Sequence, residues 1–162
     1  MRQTFNNILN CLLDGCLDVY GDHLVSLAVF GSVAAATMRP DSDIDVLLVC
    51  DQLPHGRMAR IRQFEAVDSY CQEVLEQASR QGVMTCFSPH IKTPREVRLG
   101  SPLFLDMTET VKILFDRQGF LEQYLQGLKQ RLAHLGAQRV MFGGGYYWLL
   151  KPDLEPGEAI TL

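Results

Sequence analysis

The stretch AVFGS at residues 28–32, followed ten residues later by DIDVLLV at residues 43–49, decides how this chain is interpreted. The apolar run from Leu24 to Phe30 predicts a strand that is buried on both faces, and Gly31 ends it. A Gly-Ser turn after a strand lets a phosphate approach the backbone, and Ser32 adds a hydroxyl and amide donors. The turn therefore predicts a phosphate-binding loop.

Two aspartates open the second predicted strand. Because side chains alternate along a strand, Asp43 and Asp45 lie on one face, roughly 6 to 7 Å apart at Cα. Ile44 and Val46 point to the opposite face. Asp45 lies one pleat inside an otherwise apolar strand, where an unpaired carboxylate would be costly. Core packing alone does not explain this pair.

The turn and the aspartates together indicate a nucleotide site with a metal ion. Mg²⁺ takes oxygen ligands and is usually held by one or two carboxylates plus substrate phosphates. Asp43 and Asp45 are therefore the predicted metal ligands and catalytic residues. Gly31 and Ser32 are predicted to bind the phosphates of the nucleotide.

Phe30-Gly31-Ser32, a ten-residue spacer and Asp43-Ile44-Asp45-Val46 resemble the signature of the nucleotidyltransferase superfamily named after DNA polymerase β. The likeness covers about residues 5–117 and is most like the small members called minimal nucleotidyltransferases. It implies transfer of a nucleoside monophosphate, with AMP as the favoured one, from an NTP such as ATP to a hydroxyl of a protein or small-molecule acceptor. The implied cofactor is Mg²⁺. It also implies a small helical partner protein, because many minimal members belong to toxin–antitoxin pairs.

The chain departs from the family pattern at two places. Many minimal members carry a basic residue shortly after Gly-Ser, whereas residues 33–36 are VAAA here and Arg39 is the nearest cation. The third carboxylate of the family, which would act as a general base or complete the metal site, is expected on the following strand. The strand predicted at Val83–Ser88 contains none.

Three residues are candidates for that missing group. Glu96 also fits a capping box with Thr93, Asp106 fits a short solvated helix, and His90 fits a hydrogen-bonded structural histidine. The absence keeps two alternatives open. One is a nucleotidyltransferase-fold binding protein with weak or no turnover, such as an antitoxin-like partner, and the other is a nucleotide sensor.

The rest of the chain alternates between helix and strand patterns. Helices are predicted at residues 2–19, 33–37 and 56–80, then as two short helices starting at Thr93-Pro94 and Ser101-Pro102, and last from a cap at Asp116 to a stop at Gly136. A fourth strand is predicted at Val111–Phe115. The fold class is therefore α/β (α+β), with a small mixed sheet of about four or five strands and helices packed on it.

The tail carries two features of its own. Gly143-Gly144-Gly145 lacks the strand and lysine of a P-loop, so a flexible hinge is predicted. The aromatic residues Tyr146, Tyr147 and Trp148 are predicted to dock the tail onto the core.

Length and composition bound the class of protein. With 162 residues and 47% hydrophobic content, a single domain over residues 1–162 is predicted, with a core at about 5–117 and a C-terminal helix and tail at 117–162. A net charge of -4 without a dense Lys/Arg run disfavours nucleic acid as the partner. The five cysteines form no Cys-x-x-Cys pair and no apolar run reaches membrane-spanning length, so a cytoplasmic protein without a membrane partner is expected.

Overall fold

A four-stranded mixed sheet with helices on both faces forms the centre of the protein, in a computed structural model that describes residues 1–155 and 157–160. The strands are β1 (Leu24–Phe30), β2 (Ile44–Cys50), β3 (Phe87–Lys92), β4 (Lys112–Asp116), β5 (Gln138–Phe142) and β6 (Gly145–Leu149). The helices are α1 (Arg2–Tyr20), α2 (Gly31–Ala34), α3 (Arg57–Arg80), α4 (Pro94–Arg98), α5 (Leu103–Met107) and α6 (Phe120–His134).

The order of the strands in the sheet is β3-β2-β1-β4, and β5 and β6 form a separate two-stranded sheet. Strand β1 is antiparallel to β2 and β4, whereas β2 and β3 are parallel. The predicted mixed sheet is therefore confirmed, with four strands. Among the described residues, no helix combines the length and the apolar character needed to cross a membrane.

Helices cover both faces of the sheet, which explains why every residue of β1 is buried. On one face, the apolar stripes of α1 and α3 pack against the even-numbered residues of β2, such as Ile44 and Val46. On the other face, α4, α5 and α6 pack against Leu47 and Val49. The alternation predicted for β2 is confirmed, and Asp45 belongs to the face of Leu47.

Ser26 is the polar residue of β1 and is completely buried. Its burial is tolerated because it belongs to a hydrogen-bond network around Asp116. Its hydroxyl donates to Asp116 Oδ1 at 2.6 Å. The same carboxylate accepts the backbone N–H groups of Leu121 and Glu122, each at 3.0 Å. Asp116 therefore joins β1, β4 and the first turn of α6, whose N–H groups it accepts as a capping side chain would, although the N-cap position itself is Gly119 rather than the predicted Asp116.

The third strand lies further along the chain than predicted. The strand predicted at Val83–Ser88 is wrong, because the ladder with β2 starts where Phe87 pairs with Ile44 and continues to Lys92. Pro89 lies inside this strand, where proline would normally argue against strand structure. It is tolerated because β3 is an edge strand of the sheet.

The residues before β3 form hydrogen bonds to the loop before β2 instead of a ladder. The Met84 N–H donates to the Pro40 carbonyl at 2.8 Å, and the Thr85 hydroxyl donates to the Ser42 carbonyl at 2.7 Å. The short second helix also differs from its prediction, since α2 begins at Gly31 rather than at residue 33.

The predicted glycine hinge in the tail is wrong, because the glycines make the turn of a hairpin. Gly143 and Gly144 have φ values of +57° and +81°, which two-residue hairpin loops favour, and they connect β5 to β6. The indole N–H of Trp148 donates to Asp106 Oδ1 at 2.9 Å, so docking of the tail is confirmed at this residue. Tyr146 and Tyr147 remain exposed.

Candidate active site

Gly31 lies directly against the side chain of Asp45. The antiparallel register of β1 and β2 pairs Phe30 with Asp45, so the residue after Phe30 reaches the same carboxylate. Gly31 has φ +66°, and a Cβ atom built on it would overlap Asp45 Oδ2. Both the left-handed backbone and the close approach require glycine here. The turn and the carboxylate, predicted separately, therefore form one packed unit.

Asp43 lies just before β2 and is exposed, with the thiol of Cys86 beside it. The Cys86 thiol donates to Asp43 Oδ1, with 3.1 Å between the sulfur and the oxygen. This hydrogen bond, with burial and the negative charge of Asp43, raises the pKa of Cys86 to about 11. Cys86 is therefore a neutral thiol at ordinary pH rather than a nucleophilic thiolate.

The environment of Asp45 disfavours its own charge. Burial raises the pKa of Asp45 most, and the negative charge of Asp43 raises it further. His90 and the hydroxyl of Ser88 act in the opposite direction, and Ser88 pairs with Asp45 in the register of β2 and β3. Two carboxylates that repel each other at the same edge are the arrangement that a bound cation would relieve.

The donor set fits Mg²⁺. Within residues 1–155 and 157–160, no group of three or more His, Cys, Asp or Glu side chains is arranged to hold a metal ion. Mg²⁺ does not need such a cage, since it keeps several waters and is usually bound by one or two carboxylates together with substrate phosphates. Asp43 and Asp45 would supply two carboxylates, and the turn that begins at Gly31 adjoins Asp45, so phosphates bound there could complete the shell.

Two of the three candidates for the third acid are engaged elsewhere. Glu96 accepts from both terminal nitrogens of Arg60, at 2.7 and 3.0 Å, and from the backbone N–H of Thr93 at 2.8 Å. The hydrogen bonds from Arg60 lead the causes that lower the pKa of Glu96 to about 2, and the predicted capping box with Thr93 is confirmed. Asp106 lies on α5 and accepts from Trp148.

His90 is the candidate that lies beside the carboxylates. It stands opposite Leu47 in the register of β3 and β2, one pleat beyond Ser88, and its ring centroid is 5.4 Å from that of Phe30. Burial lowers the pKa of His90 most, and the charges of Lys92 and Arg57 lower it further, against the opposing effect of Asp45. The position expected to hold a carboxylate is thus occupied by a serine and a histidine.

Three basic residues, Arg39, Lys112 and Lys92, have different surroundings. Arg39 pairs with Asp41 at 3.5 Å, and both side chains are largely exposed. Lys112 donates to Asn6 Oδ1 at 3.4 Å. Lys92, in contrast, lines a cavity beside His90.

Sequence reasoning missed Ser88 and Arg57 as neighbours of this site. The strand predicted from the sequence ends at Ser88, whereas β3 continues beyond it to Lys92. Arg57 begins α3, and no local pattern connects that helix start with β3. The tolerance of edge strands for proline was the one signal available for the first of these.

Comparison with known proteins agrees with this geometry. Residues 12–81 match the model of the nucleotidyltransferase domain. The chain is also 35% identical over 130 residues to a protein of Methanocaldococcus jannaschii named "Putative protein adenylyltransferase MJ1305", covering 79% of this chain and 83% of the relative. The chain belongs to the nucleotidyltransferase family. This confirms the predicted family and the predicted class of enzyme.

Two solved structures share the fold of this nucleotidyltransferase. A toxin–antitoxin complex with AMP-PNP aligns with a TM-score of 0.50 and 18% identity, over 78% of this chain and 87% of that chain. The spectinomycin adenyltransferase AAD(9) of Enterococcus faecialis, solved with ATP and spectinomycin, aligns with a TM-score of 0.52 and 10% identity, over 80% of this chain and 67% of that chain. The family match at residues 12–81 contains Gly31, Ser32, Asp43 and Asp45 and ends before β3.

Proposed function

We propose that this nucleotidyltransferase depends on Mg²⁺ and moves AMP from ATP to a hydroxyl group of a protein or small-molecule acceptor. The observation that carries the proposal is the contact between Gly31 and Asp45, which joins a phosphate-binding turn to a carboxylate pair. Neither element alone indicates nucleotidyl transfer. Together they support a proposal in which the triphosphate binds beside the carboxylates that would hold its metal ion.

Each site residue has a distinct role in this proposal. Asp43 and Asp45 would hold Mg²⁺, which supplies positive charge against the charge that builds on the triphosphate. Gly31 gives the β- and γ-phosphates access to the backbone, and Ser32 donates hydrogen bonds to them. The acceptor oxygen attacks the α-phosphorus, the bond from that phosphorus to the bridging oxygen of pyrophosphate breaks, and the hydroxyl proton passes to solvent water.

The choice of AMP and of a protein acceptor is supported by the relatives. The Methanocaldococcus relative is named as a protein adenylyltransferase. Its alignment covers 79% of this chain. A small helical protein is the proposed partner or acceptor, in keeping with the toxin–antitoxin complex that shares the fold.

The test is transfer of label from ATP. The purified protein, Mg²⁺ and ATP labelled at the α-phosphate are incubated with cell lysate, and covalent label and released pyrophosphate are measured. Label from the γ-phosphate should not be transferred. Asp43→Asn and Asp45→Asn should each lower labelling by at least about 100-fold, because an electrostatic contact of this kind stabilises the transition state by several kcal/mol. EDTA should have the same effect.

Asp41→Asn is the matched control, since it removes a carboxylate from the same turn that pairs with exposed Arg39. It should retain labelling. Persistent labelling in Asp45→Asn or in EDTA would contradict the assignment of the metal ligands.

A second candidate function rests on β3, where Ser88 and His90 stand in place of the expected third carboxylate. In this case the protein binds nucleotide and a partner but transfers nothing. Binding of Mg²⁺ and ATP by calorimetry without any release of pyrophosphate would favour this candidate over the enzyme.

A further inference from the structure

A cavity of about 540 Å³ lies between the start of α3 and strand β3, next to the carboxylates but outside the residues assigned above. Arg57 and Arg60 line it from the helix, and His90, Lys92 and Glu96 line it from β3 and α4. Cavities of this size hold small molecules or a side chain with its neighbours. We call it the Arg57–Lys92 cavity.

One of its three cations is committed to the fold. Arg60 makes a bidentate pair with Glu96 and also donates to the carbonyls of Pro54 and Ile91, each at 3.2 Å. The positive charge of Arg60 is therefore matched by Glu96, and the pair fixes the loop before α3 against β3 and α4. It forms the rigid floor of the cavity.

The other two cations have no such partner. Within residues 1–155 and 157–160, neither Arg57 nor Lys92 has a carboxylate within ion-pair distance. Both lie close enough to His90 for their charges to act on its imidazole. The first turn of α3 adds backbone N–H groups, because its N-cap Gly56 provides no side-chain cap. The cavity thus has three cations, Arg57, Arg60 and Lys92, against the one carboxylate, Glu96, that lines it.

The order of the strands decides which reactant these cations meet. Gly31 follows β1, which lies on one side of β2, whereas the cavity borders β3, which lies on the other side. If the triphosphate occupies the turn at Gly31 and Ser32, as the proposed function requires, the cavity approaches Asp45 from the opposite direction. That is the direction left open for the attacking hydroxyl.

We propose that the Arg57–Lys92 cavity is the acceptor subsite, and that it selects acceptors with a carboxylate or phosphate group beside the reacting hydroxyl. This rests on the proposed function for the position of the nucleotide, but the binding of an anion does not. The two cations hold the anionic group, and the Arg60–Glu96 pair keeps the wall in place. For a protein acceptor, the hydroxyl residue would lie among acidic residues.

Binding of an anion is tested first and without nucleotide. Inorganic phosphate, and separately acetate, are titrated into the ¹⁵N-labelled protein at low salt, and amide shifts are followed by NMR. Shifts should cluster at Arg57, Ile91 and Lys92. Arg57→Gln with Lys92→Gln should weaken phosphate binding by at least about tenfold, the scale of one charge-assisted contact.

The matched control is Arg80→Gln with Lys129→Gln, which removes one arginine and one lysine from exposed positions. It should leave phosphate binding unchanged. Equal loss in both double variants, or shifts that do not cluster at the cavity, would overturn the proposal.

Selection of the acceptor is tested next with two peptides, Glu-Glu-Tyr-Glu-Glu and Gln-Gln-Tyr-Gln-Gln, and with a small hydroxy acid. The wild-type protein should adenylylate the acidic peptide with at least about tenfold higher kcat/KM than the neutral one. Arg57→Gln with Lys92→Gln should remove this preference by raising KM, without changing the affinity for ATP and Mg²⁺. Transfer to the hydroxy acid alone would identify a small molecule as the source of the anionic group.

The two proposals fail in different ways. If no protein variant or condition gives labelling while phosphate binds at the cavity, the proposed function is wrong and the anion site remains. If labelling occurs but the acidic peptide has no advantage, the acceptor assignment is wrong. If the double variant loses ATP affinity instead, the cavity binds the triphosphate and the acceptor assignment is again wrong.

Discussion

Strand β2, which contains Asp45, has groups of opposite charge toward its two neighbouring strands, β1 and β3. On the side of β1, the Asp45 carboxylate lies against the turn at Gly31, and its burial together with the negative charge of Asp43 raises its pKa. On the side of β3, Arg57 and Lys92 line a cavity without an ion-pair partner among the described residues. In the two proposals, the first side would bind a triphosphate together with a metal ion, whereas the second would bind an anionic group of the acceptor without one. The difference indicates separate places for the nucleotide and the acceptor.

The largest expected effect comes from Gly31→Ala, which adds a methyl group where Asp45 Oδ2 lies. The carboxylate must move, and a displacement of about 1 Å at a reacting centre costs on the order of 100-fold in rate. The left-handed backbone costs a further 1–2 kcal/mol of stability, roughly. Transfer of label and thermal unfolding measure the two effects separately.

Gly82→Ala is the control for Gly31→Ala. Gly82 has φ +82°, and a Cβ atom there would meet nothing within 4 Å. It should lower stability by a similar amount and leave transfer unchanged. Similar rates of transfer in the two variants would mean that the contact with Asp45 has no functional role. Binding of phosphate at the Arg57–Lys92 cavity should be equal in the two variants.

A smaller effect is expected from Glu96→Gln, which breaks the ion pair under the cavity. Its side chain is 38% exposed, so the loss is discounted for solvent screening to about 1 kcal/mol of unfolding free energy. The pKa of Glu96 is about 2 in the folded protein, well below its ordinary value. Its contribution is therefore complete above about pH 4.5 and is lost as the pH falls toward 2.

Denaturant unfolding at pH 7 and at low pH measures this contribution. The difference between wild type and Glu96→Gln should shrink as the pH falls through that window. Glu76→Gln is the comparison, because its ion pair with Arg80 is exposed and 3.8 Å long. It should change stability by less than about 0.5 kcal/mol at either pH. Equal effects of the two substitutions would show that the Arg60–Glu96 pair does not support the cavity.

The smallest expected effect is a gain in stability for Asp45→Asn. The folded protein disfavours the charged form of Asp45, so its pKa is raised above the unfolded value. The wild type has its full stability from this group at low pH and loses some as the pH rises through the raised pKa. Without metal, Asp45→Asn should therefore melt slightly higher than the wild type at pH 7 and at the same temperature at pH 3. A lower melting temperature at pH 7 would contradict the repulsion between the two carboxylates.

Local patterns predicted the features that depend on short stretches of sequence well. The bounds of β1 follow from an apolar run ended by glycine, and the capping box of Thr93 and Glu96 follows from residues three apart. The alternation along β2 placed Asp45 and Ile44 on opposite faces before any contact was known. Each of these signals involves residues that are close in sequence, so it does not depend on the tertiary structure.

The features around β3 and the cavity were poorly predicted, because they depend on residues that are far apart in sequence. The predicted third strand ends at Ser88, whereas β3 continues through Pro89 and His90 to Lys92. Arg60 and Glu96 are separated by 36 residues, and no periodicity connects them. The glycines after Phe142 form a turn rather than the predicted hinge. A turn is recognised by the pairing of the strands that flank it, and that pairing is not visible in the glycines themselves.

The sequence by itself determined the family of this protein, the Gly-Ser turn and the two aspartates, since spacing along one strand and one turn is enough to define them. Only the tertiary structure decided that Gly31 touches Asp45, that Ser88 and His90 follow β2 on the neighbouring strand, and that two cations without an ion-pair partner among the described residues share a cavity. The physical reason is register. Which residues meet across neighbouring strands is set by the packing of the whole sheet, and it is not encoded in any one segment.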